Sequence, residues 1–234
     1  MIHSLHRAGV AALFVYGLAA ASTPAIAMPT YTVTPASGGS VFGTPNWSER
    51  AKVNLNGTKR NVQAGLFRLR LDDGNGTAFD LATFCIEIMQ SLRLPNSYTE
   101  QTFNPATRNA VNALWSNAFL LVDGDRTAAA FQFALWEITH DTGFDLGAGA
   151  MTIKGKAATV ALSQSWLGNI GDNTWKPNAD VMVTALVSAR SQNQLFARLK
   201  PEPTQQIPVP ATGLLIAGAA LFGLVHRFRR RAAR

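Results

Sequence analysis

Apolar and polar residues alternate through the first half of the chain and change to a helical period near its middle. Tyr31-Thr32-Val33-Thr34 and Lys52-Val53-Asn54-Leu55 predict short strands, and Asn56-Gly57 is a hairpin signal. Between Val62 and Leu71, Phe67, Leu69 and Leu71 alternate with Arg68 and Arg70, which predicts a strand with one buried and one wet face. Asp72-Asp73-Gly74-Asn75-Gly76 reads as a solvated turn, because it lacks the spaced ligands and closing Glu of an EF-hand calcium loop. Phe79 to Ile88 predicts a further strand. Phe79, Leu81, Thr83, Cys85 and Glu87 share one face, and Asp80, Ala82, Phe84, Ile86 and Ile88 share the other. The second set is the more apolar and is expected to face the main core. Cys85 then projects to the opposite side, where a helix can cover it, although a bulge near the cysteine would exchange the faces.

Asn104-Pro105 opens a predicted helix running to about Leu121, with Val111, Leu114, Trp115, Ala118 and Phe119 at helical spacing. Asp123-Gly124-Asp125 turns the chain, with Asp125 as the expected N-cap of a second helix, Arg126 to Asp141. On a wheel at about 100° per residue, Gln132 lies among Ala128, Ala129, Leu135 and Trp136, while Arg126, Glu137 and His140 cluster elsewhere. A carboxamide on an apolar surface needs a partner, because an unpaired buried polar group is costly. The two helices, close in sequence, are expected to pack antiparallel. Residues 143–178 are Gly-rich, with short strands expected near Ala150–Ile153 and Thr159–Leu162 and a loop carrying Trp166 and Trp175. Asn178 is expected to cap a last helix from about Asp180 to Ala189, and Gln194 to Leu199 to finish as a strand. The pattern predicts an α+β fold: a mostly antiparallel β-sandwich or barrel-like sheet with a packed helical pair, plus one C-terminal transmembrane helix.

That last helix comes from the termini. Residues 1–27 read as a signal peptide: His3, His6 and Arg7, an apolar core from Ala8 to Ala21, and the small-residue site Ala25-Ile26-Ala27. Cleavage is expected after Ala27, the alternative being an uncleaved anchor. An exported domain is expected over 28–200, a stiff polar linker over 201–206, and a distinct tail over 207–234. In the tail, Ala211 to Val225 is uncharged and is followed by Arg227, Arg229, Arg230 and Arg231. Counted from Ile207, with the arginines snorkelling, the segment reaches the roughly 17 residues that a span requires. The arginines would hold its end in the cytoplasm as a stop-transfer signal. The alternative is a buried core helix.

Charge sharpens this division. The chain carries a net charge of +7, but residues 28–210 hold 15 basic against 14 acidic side chains, so the excess belongs to the termini. No basic stripe interleaved with aromatics marks the central part as a nucleic-acid binder. The single cysteine excludes an intramolecular disulfide framework and a Cys-rich zinc site. No P-loop, dinucleotide fingerprint or zinc signature is present, and no metal or cofactor is expected.

A proline motif, an apolar span and a terminal arginine cluster, in that order, resemble the PEP-CTERM sorting signal handled by exosortases in Gram-negative bacteria. The resemblance covers Ile207 to Arg234. Its motif, Ile207-Pro208-Val209-Pro210-Ala211, is nearer the variant V-P-L-P-A than Pro-Glu-Pro, and the literal Pro201-Glu202-Pro203 lies six residues earlier. The resemblance implies an exosortase-type processing enzyme as partner, anchoring in the inner membrane before cleavage near the proline motif, and then the cell surface or the exterior. A plain tail anchor is the alternative.

Phe84-Cys85-Ile86-Glu87 and Phe131-Gln132-Phe133-Ala134-Leu135-Trp136-Glu137 resemble the two signatures of Cys–Gln thioester domains, an aromatic-Cys strand followed by T-Q-x-A-(I/V)-W. Gln132, Ala134 and Trp136 match, Leu135 holds the aliphatic position, and Phe131 stands where the family usually has Thr. The resemblance covers roughly residues 60–140 and implies a Cys85–Gln132 thioester. A thiolate is a strong nucleophile, and fixed proximity to a carboxamide can supply about 7–11 kcal/mol of the barrier to condensation. An incoming amine would then take the Gln132 acyl group and free the thiol. Such chemistry is single-use, so no enzyme is expected. Glu137 and His140 are the nearest candidate bases in sequence, and Trp136, one turn from Gln132, is placed to shield the bond. The expected partners are amines or polysaccharide of a surface or matrix. Two other readings stay open: a non-reactive structural or biofilm-matrix protein of the same fold, and a Cys-nucleophile hydrolase using Cys85 with His140.

Overall fold

A computed structural model of the chain describes residues 29–36, 40–141 and 143–200. The segments read as signal peptide and as linker and sorting tail lie outside the described residues. The described elements, in order, are β1 (Thr30–Pro35), β2 (Ser48–Leu55), β3 (Thr58–Gly65), β4 (Phe67–Asp72), β5 (Ala78–Cys85), β6 (Asn96–Gln101), α1 (Pro105–Ala118), a 3-10 turn (Phe119–Leu121), α2 (Asp125–His140), β7 (Met151–Lys154), α3 (Ala157–Gly171), β8 (Val181–Val187) and β9 (Gln194–Leu199). Six strands close into an antiparallel barrel in the order β1-β4-β5-β9-β8-β6, and β3-β2-β7 form a separate three-stranded sheet. The fold is therefore α+β with a barrel-like antiparallel sheet. No helix among the described residues is long and apolar enough to cross a membrane, and the segment read as a span is not among them.

The alternation in β4 works as expected: Phe67, Leu69 and Leu71 are buried and pair with Thr83, Leu81 and Phe79 of β5. The stretch from Val62 to Leu71 is two strands rather than one. It leaves the small sheet at Gly65 and enters the barrel at Phe67, with the Leu66 N–H donating to the Trp47 carbonyl (3.1 Å). Gly65 is required at this crossing, since a β-carbon there would run into Trp47 and Ser48 backbone atoms.

Three expectations are corrected. Thr159–Leu162 is the first turn of α3 rather than a strand. Thr159, Ser163, Trp166, Leu167 and Ile170 are buried at helical spacing, a period that a four-residue window cannot display. The segment expected as a helix over Asp180–Ala189 holds β8 (Val181–Val187) instead. Its β-branched residues sit between β6 and β9, and Asn178 forms an Asx turn onto the Asp180 N–H (2.8 Å) instead of a cap. Residue 124, not Asp125, caps α2. The Thr127 hydroxyl accepts from the Asp123 and Gly124 N–H groups (3.0 and 3.1 Å), leaving Asp125 as the first helical residue.

Strand β6 is a further finding. Its inward residues are Tyr98 and Glu100, and the carboxylate breaks the apolar alternation that would have marked it. Inside the fold Glu100 is paired. Arg198 donates two hydrogen bonds to it (2.9 and 2.8 Å) and Tyr31 a third (2.8 Å), which ties β1, β6 and β9 together.

Helix α2 lies at the centre of the molecule. Every residue from Ala128 to Ile138 is buried, and the helix packs against α1, α3 and both sheets. A helix apolar on all sides is a core element rather than a surface one.

Candidate functional site

The centre of α2 meets the end of β5. Phe84 stacks on Phe131 of α2 (centroids 4.2 Å) and meets Trp115 and Phe119 edge-on (6.3 and 6.5 Å). The helical pair thus covers the Phe84 side of the strand, where the sequence pattern had placed the covering helix on the Cys85 side. Phe131, the position at which the chain departs from the thioester-domain signature, fills this aromatic cluster.

Successive residues of a strand direct their backbone groups to alternate sides. Ile86 N–H reaches Asn193 O on the β9 side (3.0 Å), so Cys85 presents its N–H and C=O toward β4. Pairing with β4 ends at Thr83↔Phe67, which leaves both groups of Cys85 without a ladder partner. The Gln132 carboxamide takes the vacant place. Oε1 accepts from Cys85 N–H (2.9 Å), and Nε2 donates to Cys85 O (2.6 Å). One side chain imitates the missing peptide and satisfies two buried backbone groups. Gln132 is fully buried and Cys85 is 1 % exposed.

The thiol donates to Glu87 O (2.7 Å), and burial pushes its pKa well above the ordinary range, with the Glu87 backbone and the Trp136 indole pulling the other way. Cys85 is therefore a thiol, not a thiolate, at neutral pH. Trp136 Nε1 makes no hydrogen bond of good geometry, yet the indole lies close enough to the sulfur to stabilise its charged form. Trp136 also lines an open groove of about 520 Å³ with Phe42, Phe67, Ile88, Leu92 and Leu94. Trp136 thus borders both the groove and the thiol.

Gln132, Trp136 and His140 follow one another at four-residue intervals along one stripe of α2, and the chain leaving β5 runs beside it. His140 hydrogen-bonds the Ile86 backbone, and its Nε2 is buried without a partner. Burial lowers its pKa, with the Glu87 carboxylate and the Ile86 contact opposing, so the ring is neutral near pH 7. Glu137 turns to the loop after α2. Its Oε1 accepts the Asp145 N–H (2.9 Å), and its Oε2 is buried without a partner. Burial, then the charges of Asp141 and Asp145, push it up to about 7 against the pull of the Asp145 N–H.

The structure thus joins Cys85, Gln132 and Trp136, sets His140 on the adjoining Ile86 backbone, and sets Glu137 against a different loop. It adds residues that no local pattern marks. Gln192 Nε2 donates to Glu87 O (2.8 Å), fixing the carbonyl that meets the thiol. Gln194 pairs across from Cys85 and accepts from Thr83 Oγ1 (3.1 Å). Tyr98 donates to Gln192 O (3.0 Å) and accepts from the Ser191 hydroxyl (2.8 Å). Gln192 and Gln194 lie 105 and 111 residues along the chain from Glu87 and Thr83, the residues they hold, and Tyr98 meets Ser191 and Gln192 from β6. No metal-binding cluster occurs among the described residues. The sorting residues Pro208, Val209 and Pro210 and the arginines from Arg227 to Arg231 lie outside the described residues.

No family model and no curated protein matches the chain. Among solved structures it is similar to the N-terminal thioester domain of a surface protein from Clostridium perfringens, at 11 % identity and a TM-score of 0.40, covering 64 % of this chain and 99 % of that one. A cysteine-to-alanine mutant of that domain gives the same figures. The N-terminal domain of the Streptococcus pyogenes pilus tip adhesin Cpa is similar at 12 % identity and a TM-score of 0.43, covering 76 % and 97 %. These likenesses are of outline alone, and the chemistry below rests on the residues of this chain.

Proposed function

We propose that Cys85 and Gln132 condense to an internal thioester, through which an exported protein attaches covalently and once to an amine of a surface or matrix. The observation that carries this is the pair of hydrogen bonds holding a fully buried carboxamide on the backbone of the only cysteine. In the first step Sγ bonds to Cδ of Gln132 and the Cδ–Nε2 bond breaks. The thiol hydrogen leaves with the amide nitrogen as ammonia. In the second step a primary amine attacks Cδ, the Cδ–Sγ bond breaks, and an amide and a free thiol result. The neutral His140, bonded to the backbone of Ile86 next to Cys85 and with one unpartnered nitrogen, would relay the proton. Trp136 keeps water from the bond. Export and anchoring rest on the signal-like start and the PEP-CTERM-like tail.

A second reading has its own observation. Both polar atoms of Gln132 are already used in completing the ladder, so a purely structural role leaves no group unsatisfied. Methylamine separates the two. A thioester takes up one methylamine at Gln132 and releases one alkylatable thiol at Cys85. The structural reading predicts neither. The hydrolase reading predicts repeated ester or amide turnover that is lost in Cys85→Ala.

A further inference from the structure

From Arg50 to Leu71 the chain contains no Asp or Glu. The sheet β3-β2-β7 turns this composition into a surface. Its register places Arg50 opposite Gln63, Lys52 between Asn61 and Lys154, and Asn54 between Lys59 and Thr152. The alternate residues Ala51 and Val53 are buried, so this set forms the outer face. Two adjoining depressions of about 430 and 790 Å³ lie over it and share Lys52, Asn61 and Lys154. No carboxylate lines either one, and Arg50, Lys52, Lys59 and Lys154 make no ion pair among the described residues. Lysines directly opposite each other, as Lys52 and Lys154 are, destabilise a sheet. No carboxylate among the described residues pairs with either lysine, and a bound anion would.

We infer that this face binds a linear anionic polysaccharide, with the cations on its carboxylates or sulfates and Asn54, Asn61 and Gln63 on its hydroxyls. Width and chemistry favour a polysaccharide over nucleic acid. Three strands about 4.8 Å apart make a face about 10 Å across, the width of one extended chain rather than a duplex. No aromatic side chain lines the depressions, so there is no platform for stacking the bases of a single strand. The near-neutral charge of the central part conceals this segregation, which the sheet register creates.

The test is binding of the purified full chain, in uncharged detergent, to immobilised polygalacturonate. Dextran and duplex DNA serve as comparison ligands. Lys52→Gln with Lys154→Gln is set against Arg229→Gln with Arg230→Gln, which removes the same charge from the terminal cluster. The expected result is retention on polygalacturonate but not dextran, weakening with salt, and a loss of about tenfold or more in the sheet variant alone. The sheet variant should melt no lower than the wild type, since a like-charge pair is gone. Equal binding by the sheet variant and the wild type, loss confined to the terminal variant, or tighter binding to DNA would overturn the inference. Each readout is independent of whether the thioester forms.

Discussion

At the residue scale, the site is a thiol and an amide placed together by a gap in a β-ladder. Cys85 stays protonated because it is buried, and Gln132 is fixed because β4 has ended. Reactivity must therefore come from placement and a local proton acceptor, not from a lowered thiol pKa. Helix α2 carries another buried titratable group. Glu137, held near 7 in the fold, has an ordinary carboxyl value when unfolded, so the native state binds its proton more tightly. Its contribution is fully present below about pH 4.5 and is lost as pH rises through about 7. Glu137→Gln should remove that decline and raise stability at pH 8 by on the order of 1–3 kcal/mol. Chemical denaturation of both proteins at pH 5 and pH 8 measures it. A wild type that loses no more stability than Glu137→Gln between those two values would contradict the assignment.

At the scale of elements, α2 is the part that the fold assembles around. Its register is set by the aromatic cluster as much as by Gln132, because Phe131 is clamped between Phe84 and the stacked pair Trp115 and Phe119 (4.2 Å). Phe131→Ala should cost about 3–5 kcal/mol in a denaturant titration. It should also loosen the contact between β5 and α2, and with it the seat of the carboxamide. A cost below about 1 kcal/mol would mean that the cluster does not hold the helix. The same cluster gives a packing reason for Phe where a Thr is usual in the family that the segment resembles.

The site's two principal residues were legible in the sequence, because a lone thiol and an amide on an apolar helix are local anomalies. The α1–α2 pair and the β4 alternation were legible for the same reason, as periodic patterns long enough to read. What escaped depended on partners far along the chain. β8 and the start of α3 exchanged types because a short apolar run suits either element until its neighbours are known. β6 was hidden by an inward Glu100 whose partner, Arg198, arrives 98 residues later. The supports at Gln192, Gln194 and Tyr98 were invisible, since nothing about a glutamine in a loop or strand announces the carbonyl it will hold.

At the scale of the whole molecule, two features lie close together. A cationic sheet face abuts, along Asn61, Val62 and Gln63, the groove that Trp136 lines, and the Trp136 indole also neighbours the Cys85 thiol. Recognition of a polyanion and single-use covalent capture would then be neighbouring operations of one domain. The covalent capture turns on whether the nitrogen of Gln132 is still present. The intact mass of the native protein, taken without exposure to amines, decides it. The account predicts a mass about 17 Da below that of the unmodified chain, restored to the unmodified value by Cys85→Ala after allowance for the substitution. A full mass in the wild type, with Cys85 alkylated on unfolding and no earlier amine treatment, would contradict it.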